Sequence, residues 1–242
     1  MTHNRLSDLV AAGFIDRLTP RDKALLERRV RIKSAGTEPF PLYPRGWWYA
    51  VPGATYEGLF SALDLHDRFP VTLFEGTYVE DRPWRGSALP VFITPELDGW
   101  RLIYGNLESA IDDDWDAFMG AVERLSVHCG QAQMFYEDTA GGSDIWVVAE
   151  NGRIRRRFAA ESDPEWEGDP LPWEVLRADE EDFDPEYDEA EPNEGTVRAA
   201  EACGRLSVDP TAIGPATRMR GHGWLALCAA DTGHEQLDML VR

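Results

Sequence analysis

The chain has 242 residues, of which 43% are hydrophobic and 28% charged, and its formal net charge is −20. That length buries enough surface to fold without a disulfide or metal staple, and the composition is ordinary for a globular protein. Cys129, Cys203 and Cys228 lie far apart with no CxxC pair, which fits a reducing compartment, and the acid excess argues against a nucleic-acid backbone as partner.

The opening MTHNRLSDLVAAGF shows no long apolar region and no cleavage signature, so no signal peptide is expected. The apolar stretch WLALCAA (224–230) is far short of the roughly 20 residues that a membrane span needs. A cytoplasmic protein without membrane association is the expectation.

In chain order, RLSDLVAAGFIDRL (5–18) has near-helical apolar spacing. Thr19-Pro20 then reads as an N-cap with Pro in the first turn, opening a second helix whose stripe is Leu25, Leu26, Val30 and Ile32 and which stops near Gly36. Residues 1–36 are therefore expected to form an N-terminal helical hairpin, with the basic run RRVRIK (28–33) on its solvated face. The connector TEPFPLYPRG (37–46) is Pro-rich and extended. WWYAVPG (47–53) reads as a strand, Thr55 as the cap of a helix through Leu65, and PVTLFEGTYVE (70–80) as a second strand.

ALPVFITP and GWRLIYG form a strand pair turned at Asp98-Gly99. IDDDWDAFMGAVERLSVHCG (111–130) is the best helix in the chain, with acids in its first turn that suit the helix dipole. QAQMFYED (131–138) is a strand, and DIWVVAE with RIRRRFA is a hairpin around Asn151-Gly152. GTVRAAEACGRLSV (195–208) is a helix, DPTAIGP a turn, and RGHGWLALCAAD (220–231) a loop leading into a buried strand.

Between Glu161 and Glu194 there are sixteen acidic residues and one basic residue, Arg177, so this segment carries −15 of the −20. Its Pro and acid content predicts loop or partial disorder. The interleaved Trp166, Trp173, Phe183 and Tyr187 predict that it drapes over the body, anchored by aromatics. One compact α+β unit follows: a curved, mainly antiparallel sheet with flanking helices, the helical hairpin at 1–36, a core at 37–160, the acidic segment at 161–194, and a helix and strand at 195–242 that complete the core.

FITPELDGWRLIYGN (92–106), the QAQMFYED strand and DIWVVAENGRIRRRF (144–158) together resemble a group of uncharacterised bacterial proteins. These share an xFVTPxxDGWxLxxG strand pair, a helix and a W…xNGxxxRxY hairpin. The resemblance spans about residues 85–160, with fainter echoes at DPTAIG and RGHGWLAL. It implies a shared fold; no activity is attached to the group, so it implies no site residues. Members often carry a His-Arg pair in the strand before the hairpin, where this chain has FYEDTAGG (135–142).

Few residues offer chemistry. The five histidines (3, 66, 128, 222, 234) have no metal-ligand spacing, and no metal or cofactor is expected. DFDPEYDEAE (182–191) alternates carboxylates but lacks the central Gly and closing Glu of a calcium loop. No nucleophile elbow or phosphate loop occurs, and Cys129 and Cys228 sit in apolar contexts that suit core thiols. In a regular strand Arg153, Arg155 and Arg157 share one face, and Ile154, Arg156 and Phe158 the other. That ladder is either an anion clamp or a mate for the protein's own acids. His222, between Gly221 and Gly223, is either a general base on a flexible loop or part of a tight turn into the last strand.

The reading that best fits is a non-enzymatic, acidic, cytoplasmic protein-binding protein, of the immunity or inhibitor type, for a basic partner. Contacts would come from Trp166, Trp173, Asp179, Glu180, Glu181, Asp182, Phe183, Asp184 and Tyr187. The alternative is a small-molecule-binding protein or enzyme with a pocket lined by Trp100, Trp146 and Trp224, served by Arg155 and His222. Anion or ligand contacts from Arg153, Arg155, Arg157, Trp146 and His222 belong to that reading.

Overall fold

A computed structural model of the chain describes residues 20–35, 38–78, 90–105, 107, 115–138, 142–160, 164–174 and 199–227. The helix expected over 5–18, and most of the acidic segment, lie outside these residues. Within them run five α-helices and eleven strands, all of the strands in one open sheet.

The helices are Pro20–Ala35 (α1), Gly58–Ala62 (α2), Leu73–Thr77 (α3), Trp115–Cys129 (α4) and Ala199–Leu206 (α5). The strands are Gly46–Pro52 (β1), His66–Val71 (β2), Pro90–Ile93 (β3), Glu96–Leu97 (β4), Trp100–Gly105 (β5), Gln131–Asp138 (β6), Ser143–Glu150 (β7), Arg153–Ala160 (β8), Pro164–Glu167 (β9), Met219–Arg220 (β10) and Gly223–Leu227 (β11). The main order is β2-β11-β3-β5-β1-β6-β7-β8-β9, with the short β4 joining β5 to β10. Every pairing is antiparallel.

Both faces of this sheet are covered, which explains runs such as WWYAV and IWVVA that are apolar at consecutive positions. On one face Trp48, Ala50, Phe92, Leu102, Trp146, Val148 and Phe158 pack with Ala199, Ala202 and Cys203 of α5, Leu73 of α3 and Leu25 of α1. On the other, Tyr49, Val51, Ile93, Ile103, Met134 and Val147 pack with Leu59 and Phe60 of α2 and Phe118, Val122 and Leu125 of α4. The sheet is thus the middle layer of three.

The two DG and NG signals set the hairpins. Asp98 (φ 47°) and Gly99 (φ 93°) turn β4 into β5, and Asn151 (φ 49°) and Gly152 (φ 80°) turn β7 into β8. Left-handed φ at both central residues is what a two-residue hairpin with the sheet's natural twist demands. The second turn also docks on the end of α4: Gly152 N–H donates to Ser126 Oγ at 2.8 Å, and Asn151 N–H to Gly130 O at 3.1 Å.

Several expectations are corrected. Residues 70–80 are not one strand: β2 ends at Val71 and α3 begins at once. Thr72 and Glu75 form a capping box, Thr72 Oγ1 accepting from Glu75 N–H at 3.1 Å and Glu75 Oε2 from Thr72 N–H at 2.8 Å. Two helix-terminal donors are thereby satisfied, which outweighs the β-rich composition around them. Thr55 caps nothing, because its hydroxyl donates to Cys129 O at 2.7 Å and the short α2 starts at Gly58. Nor is the basic run of α1 wholly solvated. Arg28 is buried, donating to Pro70 O at 2.6 Å and Glu75 Oε2 at 2.8 Å, while Val30 is exposed.

Candidate functional site

Two places gather charge and aromatic side chains. The first is the β8–β9 edge of the sheet, where the acidic segment begins. Pro164–Glu167 pairs with β8 as an edge strand, so the start of this segment is sheet rather than draped loop. Trp166 faces Phe158 (ring centroids 5.5 Å apart) and keeps 39% of its surface exposed. Trp173 packs on Trp146 at 5.4 Å and joins the core. Trp173 is therefore an internal anchor, and Trp146, 1% exposed beneath it, is a core residue that offers no ligand contact.

The arginine ladder expected on β8 is broken by a β-bulge. Val148 opposes Arg156 but the next residue, Ala149, opposes Ile154, leaving Arg155 as the extra residue. One unpaired residue reverses the alternation beyond it. Arg156 therefore lies with Phe158 and Trp146 on the α5 face, while Arg157 and Ile154 lie on the α4 face. Arg153 and Arg157 do not share a face as regular alternation requires. Arg155 reaches Glu150 at 3.6 Å with 62% of its side chain exposed.

The remaining arginines take the protein's own acids. Arg156 donates to Glu174 through Nε (3.0 Å to Oε1) and Nη2 (2.5 Å to Oε2), with side-chain exposures of only 4% and 8%. Its Nη1 donates to Gly168 O at 2.6 Å. Arg157 reaches Glu165 at 2.8 Å and Glu167 at 3.8 Å across the β8–β9 pair. Two arginines thus hold three of the sixteen acids. Asp179, Glu180, Glu181, Asp182, Phe183, Asp184 and Tyr187 lie outside the described residues.

The second place is on the α4 face, where β5 and β11 flank β3. Arg101, on β5, is 6% exposed. Its Nη1 donates to Thr94 O at 2.5 Å and to His222 O at 3.0 Å, and its guanidinium lies 3.9 Å over the Tyr56 ring. Its Nε has no hydrogen-bond partner among the described residues. His222 follows Gly221 (φ +74°) into β11 and packs edge-on against Trp224 at 4.4 Å. Arg29 of α1 donates from Nε to His222 Nε2 at 3.0 Å and lies 5.4 Å over Trp224.

With Nε2 accepting, the imidazole is neutral and its Nδ1–H donates to Gly223 O at 3.0 Å. Burial above all, then the charges of Arg29 and Arg101, push its pKa down to about 4. A general base works best with a pKa near the operating pH, so this histidine is poorly placed for that role. Trp100 and Trp146 pack on the α5 face and Trp224 on the α4 face, so the three do not line one pocket. Arg101, Arg29 and Tyr56 escaped the sequence reading. The available signal was one arginine inside the apolar run WRLIY, since buried arginines are rare unless paired.

Among the described residues no group of three or more His, Cys, Asp or Glu could hold a metal ion, and no helix is long and apolar enough to cross a membrane. Cys129 and Cys203 are buried thiols whose pKa values burial raises to about 11. Fold and site together define an α+β protein built on an open antiparallel sheet, with an acidic edge strand and a buried arginine, Arg101. Comparison with family models, curated proteins and solved structures finds no match to this chain.

Proposed function

We propose that the chain is an acidic, cytoplasmic protein-binding protein that engages a basic partner, in the manner of an immunity or inhibitor protein. The observation that carries this reading is the charge imbalance of the acidic segment. Residues 161–194 carry −15 and the rest of the chain is itself −5, while Arg156 and Arg157 take up three of these acids. The surplus is too large for the body to neutralise and is available to steer a cationic surface, which raises association rates and discriminates among partners.

Edge strand β9 would be the start of the contact surface. Glu165 and Glu167 keep 70% and 64% of their side chains exposed, and Trp166 adds a large aromatic face beside them. Aromatic anchors within a charged rim suit an interface whose orientation is set by charge and whose affinity comes from burial. The resemblance over residues 85–160 adds no activity to this reading.

The test is capture by the immobilised full chain at low and high ionic strength, followed by titration with the purified captured protein. A basic partner whose affinity falls with salt, and about tenfold on the double change Glu165→Gln/Glu167→Gln, supports the reading. A partner that is not basic, or one indifferent to both salt and the double change, overturns it.

A further inference from the structure

Arg101 is a buried cation without a carboxylate. Desolvating a guanidinium is expensive unless an anion or a full set of acceptors replaces water. Here the replacements are two backbone carbonyls on Nη1 and the face of Tyr56, and Nε is left without a partner among the described residues. The nearest acids are otherwise engaged: Glu57 pairs with Arg68 at 2.7 Å, and Glu96 lies 3.9 Å from Arg220. Both still act on Arg101 through space but neither is in contact with it.

Arg29 brings a second guanidinium to His222, bonding the ring Nε2 while Arg101 bonds the backbone carbonyl of the same residue. No ion pair joins it to a carboxylate among the described residues, and its Nε uses the neutral histidine as acceptor. Gly221 leaves a way in. It is exposed, and a Cβ built there would stand 3.5 Å from Arg101 Nη2, so any side chain at this position would lie against that nitrogen.

We infer that Arg101, Arg29 and the Gly221-His222-Gly223 turn form a binding site for one small oxyanion, the phosphate or carboxylate group of a small-molecule ligand. The anion would enter over Gly221 and take Arg101 Nη2 and the Arg29 guanidinium as donors, with the Tyr56 and Trp224 rings as walls. A forked guanidinium suits an oxyanion better than an ammonium does, because it donates two parallel bonds. This inference is independent of the acidic edge and stands or falls without it.

His222 reports on the site directly. In the free protein the two arginines help hold its pKa near 4, and an anion placed between them cancels part of that field, so the pKa must rise on binding. Inorganic phosphate and, separately, acetate are titrated into the full chain at low ionic strength while the His222 ring resonance is followed by NMR across a pH series. Saturable one-site movement with an upward pKa shift supports the site, and the anion that saturates at the lower concentration tells phosphate from carboxylate. Arg29→Gln, an exposed change that spares the fold, should weaken binding about tenfold. Gly221→Val should weaken it similarly by covering Nη2, with the native fold checked by the amide spectrum because a φ of +74° strains valine, and Arg155→Gln on the β8 bulge should leave it unchanged. A His222 resonance that neither anion moves saturably, or an affinity unchanged by both Arg29→Gln and Gly221→Val, overturns the inference.

Discussion

Arg156 and Glu174 form a two-pronged ion pair with both side chains almost fully out of solvent, at 4% and 8% exposure. This contact folds the start of the acidic segment onto the sheet. Glu174 also accepts Leu171 N–H at 2.8 Å, and Arg156 holds the carbonyl of Gly168, whose φ of +84° and close approach to Arg155 O leave no room for a Cβ. Removing one partner strands a charge in the interior, so Arg156→Met or Glu174→Gln alone should cost about 3 kcal/mol in denaturant unfolding. The apolar double change Arg156→Met/Glu174→Leu should recover much of that loss. Arg155→Ala, at the exposed bulge, should cost less than about 0.5 kcal/mol. Equal costs at 155 and 156 would contradict the bulge.

Thr72 is the hinge between β2 and α3. Thr72→Ala removes the hydroxyl that caps Glu75 N–H and should cost about 1 kcal/mol. Glu75 also receives Arg28 at 2.8 Å. Arg28→Met should therefore cost more than Thr72→Ala, since it leaves Pro70 O and the Glu75 carboxylate both short of a donor. Equilibrium urea unfolding of the two variants ranks them.

Stability should fall with pH through the histidine range. The folded pKa of His222, about 4, lies below the ordinary value of 6.5, so the unfolded chain binds the proton first as pH drops. Its contribution is complete above about pH 6.5 and is lost progressively between there and about pH 4. The group is partly exposed, so solvent screening brings the size down to about 2 kcal/mol. His222→Gln should flatten that part of the stability–pH curve, and an unchanged slope would refute the assignment.

Cys129 and Cys203, with pKa values near 11 and buried thiols, should resist iodoacetamide at pH 8 in the native protein and react only after unfolding. Alkylation followed by peptide mass spectrometry distinguishes the two states. Rapid native labelling of either would show that its burial is transiently lost.

Much of the sheet was legible in the sequence because turn chemistry is local. Asp98-Gly99 and Asn151-Gly152 need left-handed φ that few other pairs tolerate, and they placed two hairpin turns. The helix at Trp115–Cys129 was equally readable from its apolar spacing. What failed depended on partners distant in sequence or on a single-residue irregularity. PVTLFEGTYVE has strand composition, and only the Thr72–Glu75 spacing betrays the helix inside it. The bulge at Arg155 leaves no compositional mark, so regular alternation put Arg153 with Arg157 and Ile154 with Arg156, pairs that the bulge separates onto opposite faces. Arg101 draws its role from His222, more than a hundred residues away, which no local pattern reveals.

The acid surplus of 161–194 is tested most directly without disturbing the clamp. Deleting the whole segment would strand Arg156, so the informative variant keeps residues 164–174 and converts Asp179, Glu180, Glu181, Asp182 and Asp184 to their amides. Its affinity for the purified basic partner is then compared with that of the unmodified chain across a salt series. The proposed function predicts weaker binding and a shallower salt dependence for the amide variant, with unfolding unchanged. Equal affinity and an equal salt slope for the two proteins would contradict it.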